Sequence, residues 1–95
     1  MTDPIRAVRV RSQADIHNAV HAVRQLAGAI GMSTGSSAAI ATAVSELVTN
    51  LVKYAHSGRV TFHAKKRRVQ PGIEVVVEDS GRGQTPLSGL QGNQA

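Results

Sequence analysis

The sequence contains no cysteine and no tryptophan, and it has only one phenylalanine and one tyrosine among its 95 residues. The lack of cysteine excludes disulfide bonds and thiolate metal sites in this chain, and it is typical of a reducing compartment. Proteins that bind single-stranded nucleic acid stack its bases on several aromatic side chains, and this chain has only two. These absences remove two classes of site at the outset.

Long apolar runs are also lacking. The segment Met1–Pro4 does not have the apolar stretch of a signal peptide, and the runs elsewhere are far too short to span a bilayer. We therefore expect a soluble cytoplasmic protein with no membrane partner. The length predicts one domain with one core, and 41% apolar and 18% charged residues are typical of a globular chain.

The net charge of +5 is concentrated in one run, Lys65–Arg68. Such a run can contact the phosphates of nucleic acid, but within a hairpin loop it is more often simply solvated. We expect no nucleic-acid partner. A small basic nucleic-acid binder stays as an alternative, and it predicts an affinity that falls steeply with salt.

The first half of the chain predicts one strand and two helices. Ile5–Arg11 mixes apolar and basic residues with the period of a half-buried strand. Ser12 and Asp15 have the spacing of a capping box, which predicts a helix from about 13 to 30. After a small-residue turn at 33–37, a second apolar stripe comprises Ile40, Ala43, Val44, Leu47, Leu51, Tyr54 and Ala55.

The second half predicts a β-hairpin. Alternation over 59–65, with Val60, Phe62 and Ala64 facing inward, and the β-branched run 73–79 flank a Pro-Gly turn. The order β-α-α-β-β predicts a two-layer α+β sandwich with both helices on one sheet face. From Ser80 onward the sequence has neither the hydrophobic period of a helix nor that of a strand. We therefore expect a domain over 1–83 and a flexible tail over 84–95.

One face of the second helix carries chemistry. Glu46, Asn50 and Lys53 fall within about a 60° arc, opposite the apolar stripe. Mg²⁺ takes only one or two protein oxygens, so the Asn50 oxygen beside the Glu46 carboxylate suits it. The Lys53 ammonium can contact a phosphate, and the Glu46 carboxylate can accept a proton. The alternative is the solvated side of an ordinary amphipathic helix.

A second feature follows the last predicted strand. In Asp79-x-Gly81-x-Gly83 the glycines allow backbone to approach a flat ligand, and the carboxylate can accept from an exocyclic amine such as that of adenine. The alternative is a polar strand end followed by a common glycine turn.

The chain has an Asn-bearing helix, a strand hairpin and Asp-x-Gly-x-Gly in this order, and they resemble the N box and first glycine box of the GHKL ATPase superfamily. They are most similar to those of the anti-sigma-factor and switch-protein serine kinases of bacterial partner-switching systems. The resemblance runs from about Ile5 to Gly83. It implies a Bergerat-type ATP-binding fold in which Asn50 ligates Mg²⁺, Glu46 is the catalytic carboxylate and Asp79 binds the adenine amine. Gly81 and Gly83 would shape the pocket. The implied reaction is ATP-dependent phosphorylation of a serine on a small antagonist domain.

The chain departs from that pattern at two places. The family usually has an apolar residue and proline after Gly83, where this chain has Gln84–Pro86. The family also continues into a second glycine-rich loop, so we expect a C-terminally incomplete fold. A non-catalytic module that regulates a sigma factor or antagonist is therefore an alternative, and unpaired sheet edges predict a homodimer.

His17 and His21 lie four residues apart on the first helix and have the spacing of two metal ligands. No third ligand of comparable placement is visible, so a surface role is favoured.

Overall fold

The computed structural model describes residues 5–65, 70–79 and, for the backbone alone, 87–91. It confirms the order β-α-α-β-β and adds a strand after it. The elements are β1 (Ile5–Val10), α1 (Gln13–Ala29), α2 (Thr34–Asn50) with a π-helical turn (Leu51–Ala55), β2 (Gly58–Lys65), β3 (Gly72–Asp79) and β4 (Leu87–Gln91).

The sheet has the order β1-β2-β3-β4, and all neighbouring strands are antiparallel. Both helices supply residues to a single core with one face of the sheet, so the predicted two-layer α+β fold is confirmed. The predicted hairpin of β2 and β3 is also present. The largest fully buried side chains are Phe62, Ile40, Ile73, Val10, Val23, Val44, Val48, Val60 and Val75.

Strand β1 has a face toward the helices and a face away from them. Val10 is fully buried, and the Arg6 guanidinium reaches the side-chain oxygen of Gln25 on α1 at 3.5 Å. Successive side chains on a strand point to opposite faces. The odd-numbered residues Ile5, Ala7 and Arg9 therefore lie on the side away from the helices, which we call the outer face.

The capping box predicted at the start of α1 is wrong in its detail. The Ser12 hydroxyl makes no cap hydrogen bond, because the amide of Asp15 already donates to the Ser12 carbonyl at 3.0 Å. The Asp15 carboxylate accepts instead from the backbone N–H of Arg11 at 2.9 Å. This hydrogen bond holds the pKa of Asp15 below its ordinary value of 3.8.

The prediction that Tyr54 belongs to the core stripe is also wrong, since its side chain is 74% exposed. The α-helical pattern ends at Asn50, and the next five residues form a π-helical turn. Hydrogen bonds in such a turn span one more residue, so each residue advances through a smaller rotation and the 3.6-residue period fails. Leu51, at the start of the turn, stays buried.

The expected tail over 84–95 contains a strand, β4, at Leu87–Gln91. Leu87 pairs with Val77 and Leu90 with Val75, and the register shifts between these two pairs. Two residues of β4, at positions 88 and 89, therefore stand opposite one residue of β3, Val76, as in a β-bulge. A search for strict alternation misses such a strand, and this explains the wrong prediction for these five residues. The rest of the expected tail lies outside the described residues.

Candidate functional site

The polar face of α2 forms a shallow pocket of about 310 Å³ that is lined by Ser45, Glu46, Thr49 and Asn50. Glu46 and Asn50 are both exposed and stand one helical turn apart. The Thr49 hydroxyl donates to the Ser45 carbonyl at 2.6 Å, so it is tied to the helix backbone. The carboxylate and the carboxamide are thus exposed groups in this pocket that can meet a ligand.

Lys53 is not part of this pocket lining. It lies in the π-helical turn, and its Nζ is 5.6 Å from the ring centroid of Tyr54, which is a cation–π distance. The structure therefore brings Glu46 and Asn50 together and places Lys53 beside an exposed ring.

Asp79 is the last residue of β3, and its side chain is half-buried. Ile73, Val75 and Val77 on the same strand are buried. Alternation therefore places Asp79 on the sheet face that the helices cover. The other two predicted pocket residues, Gly81 and Gly83, lie outside the described residues.

Gly58, the first residue of β2, is a functional candidate that the sequence reasoning missed. It is buried and pairs with Asp79 in the β2–β3 ladder. A Cβ at this position would overlap the carbonyl oxygen of Glu78 and lie 2.9 Å from each δ-methyl of Leu51. The available signal was the glycine itself, because glycine within a strand marks a close approach of backbone.

The chain reaches Gly58 through a sharp reversal at His56, which has a φ of 70°. This left-handed conformation ends the π-helical turn and redirects the backbone into β2. The reversal sets the end of α2 against the end of β3.

A second cleft, of about 410 Å³, lies where β1 and β3 end and β2 begins. It shares no lining residue with the α2 pocket. The sequence pattern points to Asp79 but not to the basic residues near it, because arginines in a half-buried strand are typical of its solvated side. The lining consists of Arg9, Arg11, Ser57, Gly58, Arg59, Glu78 and Asp79.

Within the ranges described, no group of three His, Cys, Asp or Glu side chains could hold a metal ion. His17 and His21 are both exposed on α1. Mg²⁺ needs no such group, because it keeps several waters and takes one or two protein oxygens. The oxygen donors of the α2 pocket therefore fit a magnesium–phosphate ligand by their chemistry.

In the part of the chain that the structure describes, no helix is long and apolar enough to cross a membrane.

Comparison with known proteins gives two matches. A family model described as a histidine kinase-like ATPase domain matches residues 10–95. The serine/threonine-protein kinase RsbT of Bacillus subtilis (strain 168) is 34% identical over 76 residues, which are 80% of this chain. The chain spans 57% of the length of that relative. No solved structure matches at a significant level.

Proposed function

The chain belongs to the histidine kinase-like ATPase family, and on that premise we propose that it is an ATP-dependent serine/threonine protein kinase of the partner-switching type. The proposed acceptor is a serine on a small antagonist domain. The observation that carries the proposal is that Glu46 and Asn50 line one pocket on α2. The GHKL resemblance of the sequence is confirmed by the family match.

Two residues of the α2 pocket, Asn50 and Glu46, have proposed tasks. The Asn50 carboxamide oxygen would ligate Mg²⁺, whose tendency to keep its waters suits a single protein oxygen. The Glu46 carboxylate would orient the acceptor serine hydroxyl and accept its proton. Bound Mg-ATP would supply the γ-phosphoryl group, with ADP as the leaving group, and its Mg²⁺ would offset the charge of the phosphate oxygens. Positioning on a packed helix is the contribution of the protein itself.

The base end of the nucleotide is assigned to the end of β3. The Asp79 carboxylate would accept from the adenine amine, and Gly81 and Gly83 would let backbone approach the ring. Lys53 would contact a phosphate after leaving the Tyr54 ring. At exposed sites such a cation–π contact is worth about 0.5–1 kcal/mol, which a phosphate can outweigh.

A non-catalytic interaction module with the same fold is the second candidate function. One observation favours it: among the residues described, the Glu46 carboxylate has no hydrogen-bond partner that would orient it. Catalytic groups are normally held in place by such partners. This module would bind a sigma factor or an antagonist domain without phosphoryl transfer, and its binding would not respond to ATP.

Calorimetry with Mg-ADP tests the nucleotide site. Wild type should bind, and Asp79→Asn should weaken binding because an amide nitrogen replaces one acceptor of the adenine amine. Glu74→Gln, which removes a carboxylate from the outer face of β3, is the matched control and should bind as wild type. Equal affinity in Asp79→Asn and wild type would remove Asp79 from the site.

Transfer of ³²P from Mg-ATP to a serine-bearing antagonist domain separates the two candidate functions. The kinase predicts a phosphoserine product that Asn50→Ala abolishes. The module predicts complex formation with the same domain and no product at any ATP concentration. Transfer that survives Asn50→Ala would show that this asparagine does not hold the metal.

Two further expectations belong to the same proposal. A cytoplasmic location follows from the proposed signalling role. Strand β1 forms one edge of the described sheet, and an edge can pair with a second copy to give a homodimer. Light scattering that gives a monomer mass at all concentrations would exclude the dimer.

A further inference from the structure

Arg9 and Arg59 face each other across the β1–β2 ladder on the outer face of the sheet. Both are exposed, and both line the 410 Å³ cleft. Like charges placed directly opposite each other in an antiparallel pair destabilise it. This pair is therefore a local cost to the fold.

Among the residues described, no ion pair offsets that cost. Within the described chain, neither guanidinium has an ion-pair or hydrogen-bond partner, although Glu78 lies opposite Arg59 in the β2–β3 register. Elsewhere on the same face, the Lys65 ammonium lies 3.9 Å from the Glu74 carboxylate. One basic residue of the outer face is thus compensated within the fold, and two are not.

The cleft carries charges of both signs. Arg11 adds a third guanidinium, while Glu78 and Asp79 place carboxylates in the same lining. The phosphate backbone of a nucleic acid would be repelled by those carboxylates. A discrete carboxylate can instead sit between Arg9 and Arg59, where planar guanidinium groups bind it through paired hydrogen bonds.

An apolar surface continues from this cleft along β1. Ile5 and Ala7 share the outer face with Arg9, and the Ile5 side chain is 55% exposed. Ile5 lies four strand residues from Arg9, a distance of about 13 Å. The outer face therefore offers a basic position and an apolar position at a fixed separation.

We propose that the outer face docks an acidic segment of a partner protein, with a carboxylate between Arg9 and Arg59 and an apolar side chain on Ile5. This docking site goes beyond the proposed nucleotide chemistry and does not depend on it. The two arginines do not line the α2 pocket, although the cleft that they do line also contains Asp79, which is assigned to the adenine. Binding is tested without nucleotide, so its failure leaves the kinase proposal untouched.

The probe is a fluorescein-labelled 12-residue peptide with two adjacent glutamates and a leucine four residues away, followed by fluorescence anisotropy at low salt. The matched peptide has glutamines in place of the glutamates. We expect binding of the glutamate peptide alone, and a loss of affinity of at least about fivefold in R9Q and in R59Q. Affinity should also fall as salt is added.

Two variants are matched controls. K65Q removes a basic residue of the same face that is already paired, and R24Q removes an exposed arginine of α1. Both should bind the glutamate peptide as wild type does. R9Q should also melt at a higher temperature than wild type, because it removes the repulsion with Arg59.

The proposal is overturned by equal affinity for the two peptides, by unchanged affinity in both R9Q and R59Q, or by a lower melting temperature of R9Q. A labelled single-stranded DNA 12-mer is the remaining arm. If it binds more tightly than the peptide and loses affinity in R9Q, the arginines serve nucleic acid and the protein-docking proposal fails.

Discussion

Gly58 lies directly opposite Asp79 in the β2–β3 ladder, and the same glycine packs against Leu51 where α2 passes into its π-helical turn. A single residue without a side chain thus connects the helix that carries Glu46 and Asn50 to the strand that ends at Asp79. Because the approach is between backbone and a buried leucine, it leaves no room for a methyl group.

Gly58→Ala should destabilise the fold by about 1–3 kcal/mol, because the added Cβ overlaps the Glu78 carbonyl and the Leu51 methyls. It should also weaken Mg-ADP binding, since the end of β3 has to shift to make room. Urea unfolding gives the first effect and calorimetry gives the second.

Gly28→Ala is the matched control for that substitution. A Cβ at Gly28 in α1 would meet nothing within 4 Å. Alanine there should stabilise the helix by about 0.5–1 kcal/mol and leave nucleotide affinity unchanged. If the two alanine variants behave alike, close packing at Gly58 is not what holds the two elements together.

Glu46→Gln should separate nucleotide binding from phosphoryl transfer. The amide keeps the shape of the side chain but cannot accept the serine proton, so the rate should fall by roughly 10²–10⁴-fold. Affinity for Mg-ADP should stay close to that of wild type. Single-turnover transfer and calorimetry on the same preparation give the two numbers, and an unchanged rate would rule out a role for Glu46 as the base.

The fold could be predicted from the sequence because most of its helices and strands keep the regular hydrophobic periods of 3.6 and two residues. Val60, Phe62 and Ala64 alternate inward as expected, and α1 lies near its predicted bounds. The failures fall where one residue is added to a repeat. The π-helical turn moves Tyr54 out of the stripe, and the bulge opposite Val75 and Val77 hides β4 from a search for alternation.

The candidate site was predicted only where its residues share one element. Glu46 and Asn50 are four residues apart on a helix, so their proximity follows from the period alone. Gly58 and the pair Arg9–Arg59 depend on strand register. Alternation fixes which face of each strand is buried, but it does not by itself name the residue that stands opposite on the partner strand, and β1 is separated from β2 by both helices.

Asp15→Asn should lower stability in a pH-dependent way. The Arg11 N–H bond depresses the pKa of Asp15 below 3.8, so the charged form stabilises the fold above that pH, and this contribution is lost as pH falls through the lower folded pKa. The variant should melt below wild type at pH 7, and the difference should close under strongly acidic conditions. Asn18→Ala removes only the 3.2 Å bond to the other carboxylate oxygen and should give a smaller difference.

Leu51→Ala and Tyr54→Ser test the π-helical turn. The 3.6-residue period assigns both side chains to the core, whereas the structure leaves Leu51 7% exposed and Tyr54 74% exposed. Leu51→Ala should therefore cost about 2–5 kcal/mol of unfolding free energy through lost burial and a cavity. Tyr54→Ser should cost no more than about 1 kcal/mol, the worth of its contact with Lys53. Equal losses in urea unfolding would mean that the helix continues with its α-helical period through Ala55 and that Lys53 returns to the face of Glu46 and Asn50.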